Sequence, residues 1–282
     1  MSDTVEFDLD AYLGRIGWEG SRVPDAATLR GLHLAHARTI PFENLDAVHG
    51  TAPSLEPGDL LEKLVRGRRG GYCYEHNTLF LTALEALGFG VTRLSARVLV
   101  GADGLFSRPR THMTLLVEVA GETRPYLADV GFGAVGALLE PIPVVAGEEF
   151  EGAGRRHRLV RVTHRGPLDL WVLEGFEPGP AWEGGWRRQY AFTLDPAEAP
   201  DFEVFNWFVA TSPRSPFTQR PYVQRLDGDR HVLLSGRELI VTSPDGTVSK
   251  REVAEEEVTR LLAEEFGIDV PPDPRSGAPR SL

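Results

Sequence analysis

Cys73 is the only cysteine in the 282-residue chain, and its neighbours favour a reactive thiol. It follows Arg68, Arg69, Gly70 and Gly71 and begins a segment with helical periodicity. Unpaired backbone N–H groups and the positive end of the helix dipole stabilise a thiolate at a helix N-terminus, and neighbouring cations add to this effect. A lone cysteine can also be a small buried apolar side chain. The surroundings of Cys73 nevertheless predict a nucleophile.

The segment after Cys73 is predicted to form a helix to about Leu87, with Gly88 at the expected stop. Three- and four-residue steps from the cysteine lead to Asn77, Phe80, Leu84 and Leu87. The cysteine therefore begins an inward-facing stripe, and we expect it to lie in a crevice beneath other structure.

A thiol nucleophile needs a base, and His112 is the best candidate among the eight histidines. A strand-like run over residues 111–119, which contains His112, is followed by a second one over residues 125–130. With a tight loop at Ala120-Gly121, the numbers of facing residues sum to 241, so that His112 faces Asp129. Facing Cβ atoms lie about 4.5–5.5 Å apart, close enough for a carboxylate to hold an imidazole. A loop longer by two residues would place the pair on a diagonal.

The other histidines are weaker candidates. His76 lies on the same predicted helix as the thiol and has no evident acid partner. His33 and His36 could form a metal pair, but no third ligand stands at a supporting spacing. Packing or surface roles are predicted for them, and no metal. Four more histidines carry no distinguishing context: His49, His157, His164 and His231.

Several motifs resemble those of the arylamine N-acetyltransferases, in the same order and at nearly the same spacing. These are Pro41-Phe42-Glu43-Asn44-Leu45, Arg69-Gly70-Gly71-Tyr72-Cys73-Tyr74-Glu75-His76-Asn77, Thr111-His112, Asp129-Val130-Gly131-Phe132-Gly133 and Asn206-Trp207-Phe208-Val209-Ala210-Thr211-Ser212-Pro213. The resemblance runs to about Val270. It implies a Cys-His-Asp triad formed by Cys73, His112 and Asp129, which the local argument also selects.

The resemblance implies a ping-pong reaction in which acetyl-CoA, a co-substrate, acetylates the cysteine and an arylamine or arylhydrazine then accepts the acetyl group. It also implies an apolar substrate slot formed by Phe42, Val98, Phe132 and Phe208. The CoA phosphates need local positive charge. Candidate contacts are Arg108, Arg110, Thr111, Thr211, Ser212 and Arg214. The densest basic cluster, at residues 155–158, could merely flank a strand.

Two other classes of reaction can use the same kind of Cys-His-Asp triad. Amide synthases of ansamycin-type polyketide pathways resemble this family, and there the cysteine takes a polyketide chain from a carrier protein before an aryl amine closes a macrolactam. A thiol hydrolase or transglutaminase-like enzyme would use water or a lysine as acceptor. A non-enzymatic binding protein would not need all three triad members.

Residues 131–136 match the dinucleotide fingerprint G-x-G-x-x-G, but we reject this interpretation. Pro141 and Pro143 preclude the long helix that the fingerprint requires, and no βαβ unit follows. The glycines are instead expected to allow close approach beside Asp129, with Phe132 as a pocket wall.

Composition predicts an enzyme of the cytoplasm. The net charge of −11 makes nucleic acid an unfavourable partner. The first ten residues are acidic rather than basic, and no apolar run approaches the roughly 20 residues needed to cross a bilayer. We therefore expect no targeting segment and no membrane association.

The periodicity predicts an α+β fold in three parts with a cysteine-protease-like Cys-His-Asp core. Residues 1–90 are expected to form a helical bundle, 91–200 a β-barrel, 201–270 an α/β lid and 271–282 a flexible tail. The barrel carries strand signals at residues 91–100, 157–163, 168–173 and 189–194. In the last part, Ser249-Lys250-Arg251-Glu252 is predicted to open a helix as a capping box, with Gly267 at its end.

Overall fold

The computed structural model describes residues 7–178 and 184–269, and its first part is helical. Helix α1 (Leu9–Ile16) begins where Asp8 accepts a hydrogen bond from a backbone N–H, and α2 (Ala26–Thr39) begins at Asp25 in the same way. Tyr12, Leu13 and Ile16 of α1 and Leu29 and Leu32 of α2 are buried. Helix α2 ends at Thr39, two residues before Pro41.

A short strand and three helices follow. They are β1 (Phe42–Glu43), α3 (Leu45–Val48), α4 (Pro57–Leu60), which continues as a π-helical segment over Leu61–Arg66, and α5 (Cys73–Ala86). At the start of α5, the carboxylate of Glu75 accepts the backbone N–H of Tyr72 at 3.0 Å. Gly88 follows with a φ of 93°. The predicted helix from Cys73 to about Leu87 is confirmed.

The middle of the chain forms an eight-stranded antiparallel sheet that is nearly closed and barrel-like. Its strands are β2 (Gly90–Val98), β3 (His112–Glu118), β4 (Tyr126–Ala128), β5 (Ile142–Pro143), β6 (Glu149–Gly152), β7 (Arg155–Val162), β8 (Leu170–Glu177) and β9 (Gly185–Pro196). Their spatial order is β5-β4-β3-β2-β9-β8-β7-β6. The predicted strands of this region are present, with bounds shifted by a few residues.

The register of β3 and β4 differs from the predicted one. Leu115 pairs with Ala128 and Leu116 with Leu127, so the numbers of facing residues sum to 243 rather than 241. The prediction of a tight loop at Ala120-Gly121 is wrong, because residues 119–125 form the connection. His112 and Asp129 are therefore diagonal neighbours, and Asp129 lies one residue beyond the end of β4.

The last part forms a second antiparallel sheet with a helix on either side of it in the chain. The elements are α6 (Ala199–Thr211), β10 (Tyr222–Asp227), β11 (Arg230–Ser235), β12 (Glu238–Thr242), β13 (Val248–Glu252) and α7 (Glu255–Phe266). Strand β1 completes this sheet by pairing with β10. The motif around Phe42 is thereby joined to the C-terminal part of the chain.

The capping box predicted at residues 249–252 is wrong. These residues lie in β13, where Lys250 pairs with Ile240 and Ser249 with Val241. Helix α7 begins later, with Ala254 as its N-cap, and it ends at Gly267, which has a φ of 66°. Strand pairing with β12 outweighs the local capping signal.

Separate apolar clusters fill the helical part, the barrel and the space between α7 and the second sheet. Within the described ranges, none of the helices combines the length and hydropathy that crossing a bilayer requires. The tail predicted at 271–282 lies outside the described residues. The division at residues 90 and 200 and the lid role of the last part remain predictions.

Candidate active site

Cys73 is the first residue of α5 and lies at the wall of a large cavity. Its side chain is buried, at 4% exposure, and Sγ lies 3.8 Å from the carbonyl oxygen of Thr111. The cavity has a volume of about 850 Å³ and extends from the thiol past β2 to the segment after α6. The nucleophile predicted from the sequence therefore faces a space that can hold a substrate.

His112 and Asp129 form a short, buried hydrogen bond. Nε2 of His112 lies 2.6 Å from Oδ2 of Asp129, and both side chains are at most 3% exposed. Burial alone would lower the pKa of His112, but the charge and hydrogen bond of Asp129 outweigh it and raise the pKa to about 10. The diagonal placement of the two residues thus brings the predicted pair into contact.

The second carboxylate oxygen of Asp129 is held by two donors. Oδ1 accepts hydrogen bonds from Nδ2 of Asn77 at 3.0 Å and from the backbone N–H of Gly131 at 3.0 Å. Burial alone would raise the pKa of Asp129, but the attraction of His112 and these hydrogen bonds lower it overall. Because both oxygens are engaged, the carboxylate has a fixed orientation.

Asn77 connects this carboxylate to α5, the helix that begins at Cys73. Its Nδ2 also donates to the carbonyl of Met113 at 2.8 Å, and its Oδ1 accepts the backbone N–H of Val130 at 3.1 Å. Since Asn77 is one turn after Cys73, it holds α5, β3 and the residues after β4 in one arrangement.

The hydrogen bond to Asp129 determines which imidazole nitrogen is available for the thiol. Nε2 of His112 is committed to Asp129, which leaves Nδ1 for Cys73. The Cys73 side chain beside the imidazole contributes to the raised pKa of His112. This arrangement can transfer the thiol proton to the imidazole and hold the resulting cation against Asp129.

Gly131 and Phe132 shape the site next to the triad. A Cβ atom at Gly131 would lie 2.8 Å from Cα of Cys73, so only glycine permits this approach. The Phe132 ring packs edge-on against His112, with centroids 5.1 Å apart, and the Tyr190 ring lies 5.0 Å from the same imidazole. No helix follows Gly131 before β5, so the long helix that the dinucleotide fingerprint requires is not formed there.

The arginines before Cys73 do not support the thiolate as expected. Arg69 binds the carboxylate of Glu43 at 2.7 Å and that of Asp46 at 3.3 Å, and Arg68 is exposed. Arg69 therefore joins the motif around Phe42 to the segment before α5. The sequence could not determine the direction of this side chain, which a long-range ion pair decides.

The competing base, His76, is excluded by its partners. Its Nδ1 lies 2.9 Å from Nε2 of His36, and its Nε2 lies 3.1 Å from the carbonyl oxygen of Pro41. Burial lowers the pKa of His76 to about 4. His33 and His36 are fully buried rather than on the surface. Among residues 7–178 and 184–269, no three His, Cys, Asp or Glu side chains converge as metal ligands would.

Most of the predicted substrate and CoA contacts line the cavity. Besides Cys73 and His112, the predicted residues in this lining are Phe42, Val98, Arg108, Thr111, Phe132, Phe208 and Arg214. Arg110 lies outside this lining and bonds to Ser95 at 3.3 Å. Thr211 and Ser212 are also outside it, and the Thr211 hydroxyl donates to the carbonyl of Trp207.

Sequence analysis missed several residues of the site. Arg220, Phe217 and Tyr222 line the cavity, and Tyr190 packs on His112 from strand β9. Asn77 carried a usable signal, because it follows Cys73 by one helical turn on the inward-facing stripe. The others depend on contacts between distant segments and have no local signal.

Comparisons with known proteins agree with this geometry. A family model described as N-acetyltransferase matches residues 25–274. An arylamine N-acetyltransferase of Mycolicibacterium smegmatis is 39% identical over 94% of each chain. The crystal structure of the Nocardia farcinica arylamine N-acetyltransferase superposes with a TM-score of 0.87 and 47% identity, covering 94% of this chain and 91% of that one.

A structure of the Mycobacterium marinum arylamine N-acetyltransferase in complex with CoA is also similar. Its TM-score is 0.83 at 35% identity, and 93% of each chain is covered. The family model and these relatives each span most of the chain. The chain therefore belongs to the arylamine N-acetyltransferase family of transferases.

Proposed function

We propose that this enzyme moves an acetyl group from acetyl-CoA to the nitrogen of arylamines or arylhydrazines through an acetyl-Cys73 intermediate. The observation that carries the proposal is the 2.6 Å hydrogen bond between His112 and Asp129, with His112 and Cys73 both at the wall of the large cavity. Cys73 acts as the nucleophile, His112 as the base and Asp129 as the group that orients His112.

In the first half-reaction, the Cys73 thiolate attacks the thioester carbonyl of acetyl-CoA. The bond between the acetyl carbon and the CoA sulfur breaks as the new thioester forms, and His112 gives its proton to the departing thiolate. We place the oxyanion of the tetrahedral intermediate near the start of α5, where the first backbone N–H groups have no intrahelical acceptor.

In the second half-reaction, the amine nitrogen attacks the acetyl-cysteine carbonyl. His112 accepts a proton from the nitrogen, and the Cys73 thiolate leaves, so that the enzyme returns to its starting state. Asp129 stabilises the imidazolium that forms in this step, which agrees with the raised pKa of His112.

The cavity supports this choice of substrates. Its aromatic lining includes Phe42, Phe132 and Phe208, which suits a ring-bearing amine. Its charged lining residues Arg108, Arg214 and Arg220 are basic, and no Asp or Glu belongs to the lining in the described part of the chain. In a protein of net charge −11, these arginines can hold the phosphates of CoA.

The reported relatives favour acetyl transfer over the alternatives. They are named arylamine N-acetyltransferases, and nothing in them supports a carrier-bound polyketide donor or a hydrolytic acceptor. The macrolactam-forming reaction and its carrier protein therefore receive no support from these comparisons.

Initial-rate kinetics test the proposed ping-pong order. Rates of CoA release are measured against acetyl-CoA at several fixed concentrations of an aminobenzoate, with Cys73→Ala as the control. A ping-pong enzyme gives parallel double-reciprocal lines, and the control gives no amine-dependent release. Intersecting lines would show a ternary complex and would contradict the acetyl-cysteine route.

A further inference from the structure

His33 connects both ends of the segment that carries the catalytic aspartate. Its Nε2 accepts the backbone N–H of Asp129 at 3.0 Å, and its Nδ1 lies 3.0 Å from the carbonyl oxygen of Leu139. We call residues 129–139 the Asp129 loop. The fully buried imidazole of His33, on α2, thus bridges the first and last residues of this eleven-residue loop.

The partners of His33 determine its protonation state. A backbone N–H can only donate and a carbonyl can only accept, so the proton of the neutral ring must be on Nδ1. Burial lowers the pKa of His33 to about 4, which agrees with an uncharged ring. The Phe80 ring packs edge-on against it, with centroids 5.7 Å apart, and limits its rotation.

The Asp129 loop contains the parts of the site that tolerate little displacement. Asp129 makes the 2.6 Å bond to His112, and Gly131 approaches the Cys73 backbone too closely for any Cβ atom. The backbone N–H that His33 holds belongs to the same residue as the catalytic carboxylate. His33 itself does not line the large cavity and therefore acts only through the loop.

We propose that His33 is a positioning residue for catalysis, which fixes the Asp129 backbone so that the carboxylate aligns the His112 imidazole. The proposal rests on the catalytic roles proposed above for Cys73, His112 and Asp129. Without an acceptor at Nε2, the buried N–H of Asp129 loses its partner, and the loop must shift to satisfy it. The imidazolium then loses part of its stabilisation, and so does the thiolate beside it.

Three substitutions separate the two hydrogen bonds. In His33→Gln the side-chain oxygen can reach the former Nε2 position and accept the Asp129 N–H. In His33→Asn the shorter amide can reach only the former Nδ1 position and bond to Leu139. In His33→Leu both bonds are lost. We expect the glutamine variant to behave like the wild type and the other two variants to be impaired.

The test is the rate of Cys73 alkylation by iodoacetamide as a function of pH, measured on the full-length protein. At about pH 6 the asparagine and leucine variants should react roughly 10- to 100-fold more slowly than the wild type. The difference should shrink as the pH rises towards the range in which ordinary thiols ionise. The turnover number for acetyl transfer should fall in the same order.

Leu32→Ala is the matched control, since Leu32 is equally buried on α2 but belongs to the apolar core. It should lower the melting temperature and leave the alkylation profile unchanged. If His33→Leu does not fold, the glutamine and asparagine variants decide the question. Equal profiles for these two variants would overturn the proposal. Alkylation needs no acyl donor, so the result does not depend on whether acetyl-CoA is the substrate.

Discussion

Replacing Asp129 by asparagine should reverse the hydrogen bond that fixes the His112 imidazole. Oδ1 of Asp129 accepts two N–H groups, from Asn77 and Gly131. The amide oxygen of the new side chain must keep this place, which turns its NH₂ group toward His112. Nε2 of His112 would then accept a hydrogen bond, and the proton would move to Nδ1, the nitrogen that should receive the thiol proton.

The expected loss follows from the electrostatics of the pair. The pKa of His112 is about 10, against 6.5 for a free imidazole. A difference of about 3.5 in pKa is worth roughly 5 kcal/mol of imidazolium stabilisation. The corresponding substitution in a serine triad lowers turnover by about 10⁴-fold. We expect Asp129→Asn to slow acetylation of the enzyme by about 10³- to 10⁴-fold.

Rapid-mixing measurement of the first turnover of CoA release tests this directly. The matched control is Asp201→Asn, which lies at the exposed start of α6, far along the chain from the triad. A first-turnover rate for Asp129→Asn within tenfold of the wild type, with an unchanged pH profile, would refute the assigned role of Asp129.

Three further predictions follow from the charges of the structure. Arg69→Gln leaves the buried Glu43 carboxylate without its cationic partner, so it should lower the free energy of unfolding in urea titrations by about 3–5 kcal/mol. Arg66→Gln removes an exposed ion pair and should lower it far less, and equal losses would contradict this prediction. Arg214→Gln should raise the KM for acetyl-CoA about tenfold and Arg110→Gln should change it less, and the reverse order would exclude Arg214 as the phosphate contact. The buried neutral histidines bind protons less readily in the native chain than in the unfolded one between pH 6.5 and 4. The stability linked to their neutral state is therefore present above about pH 6.5 and is lost as the pH falls through 4. Melting temperatures should decline over this window, and a constant melting temperature would contradict the prediction. These histidines, each with a pKa lowered to about 4, are His33, His76, His157 and His231.

The helical part of the fold and the position of Cys73 at a helix N-terminus follow from local sequence. The apolar spacing after Cys73 and the stop at Gly88 define α5, and the same spacing defines α1 and α2. The local helix signal failed where pairing with the preceding strand prevailed. Residues 249–252 carry a capping signal, yet they pair with β12 and form a strand.

The contact between His112 and Asp129 was predicted from a hairpin register that is two residues off. The pair survives this error because Asp129 lies beyond the end of β4, where strand pairing no longer fixes its direction. Asn77 and Gly131 fix it instead. The ion pairs of Arg69 and the hydrogen bonds of His33 join segments far apart in sequence, so no local pattern could have predicted them.

The central claim is that Cys73 carries the acetyl group between the two substrates. Intact-protein mass spectrometry after mixing with acetyl-CoA, followed by addition of an aminobenzoate, tests it most directly. We predict a gain of one acetyl group that the Cys73→Ala variant does not show and that the amine removes as acetylated product forms. Acetylated product without any acetyl-enzyme, or an adduct that persists in Cys73→Ala, would contradict the account.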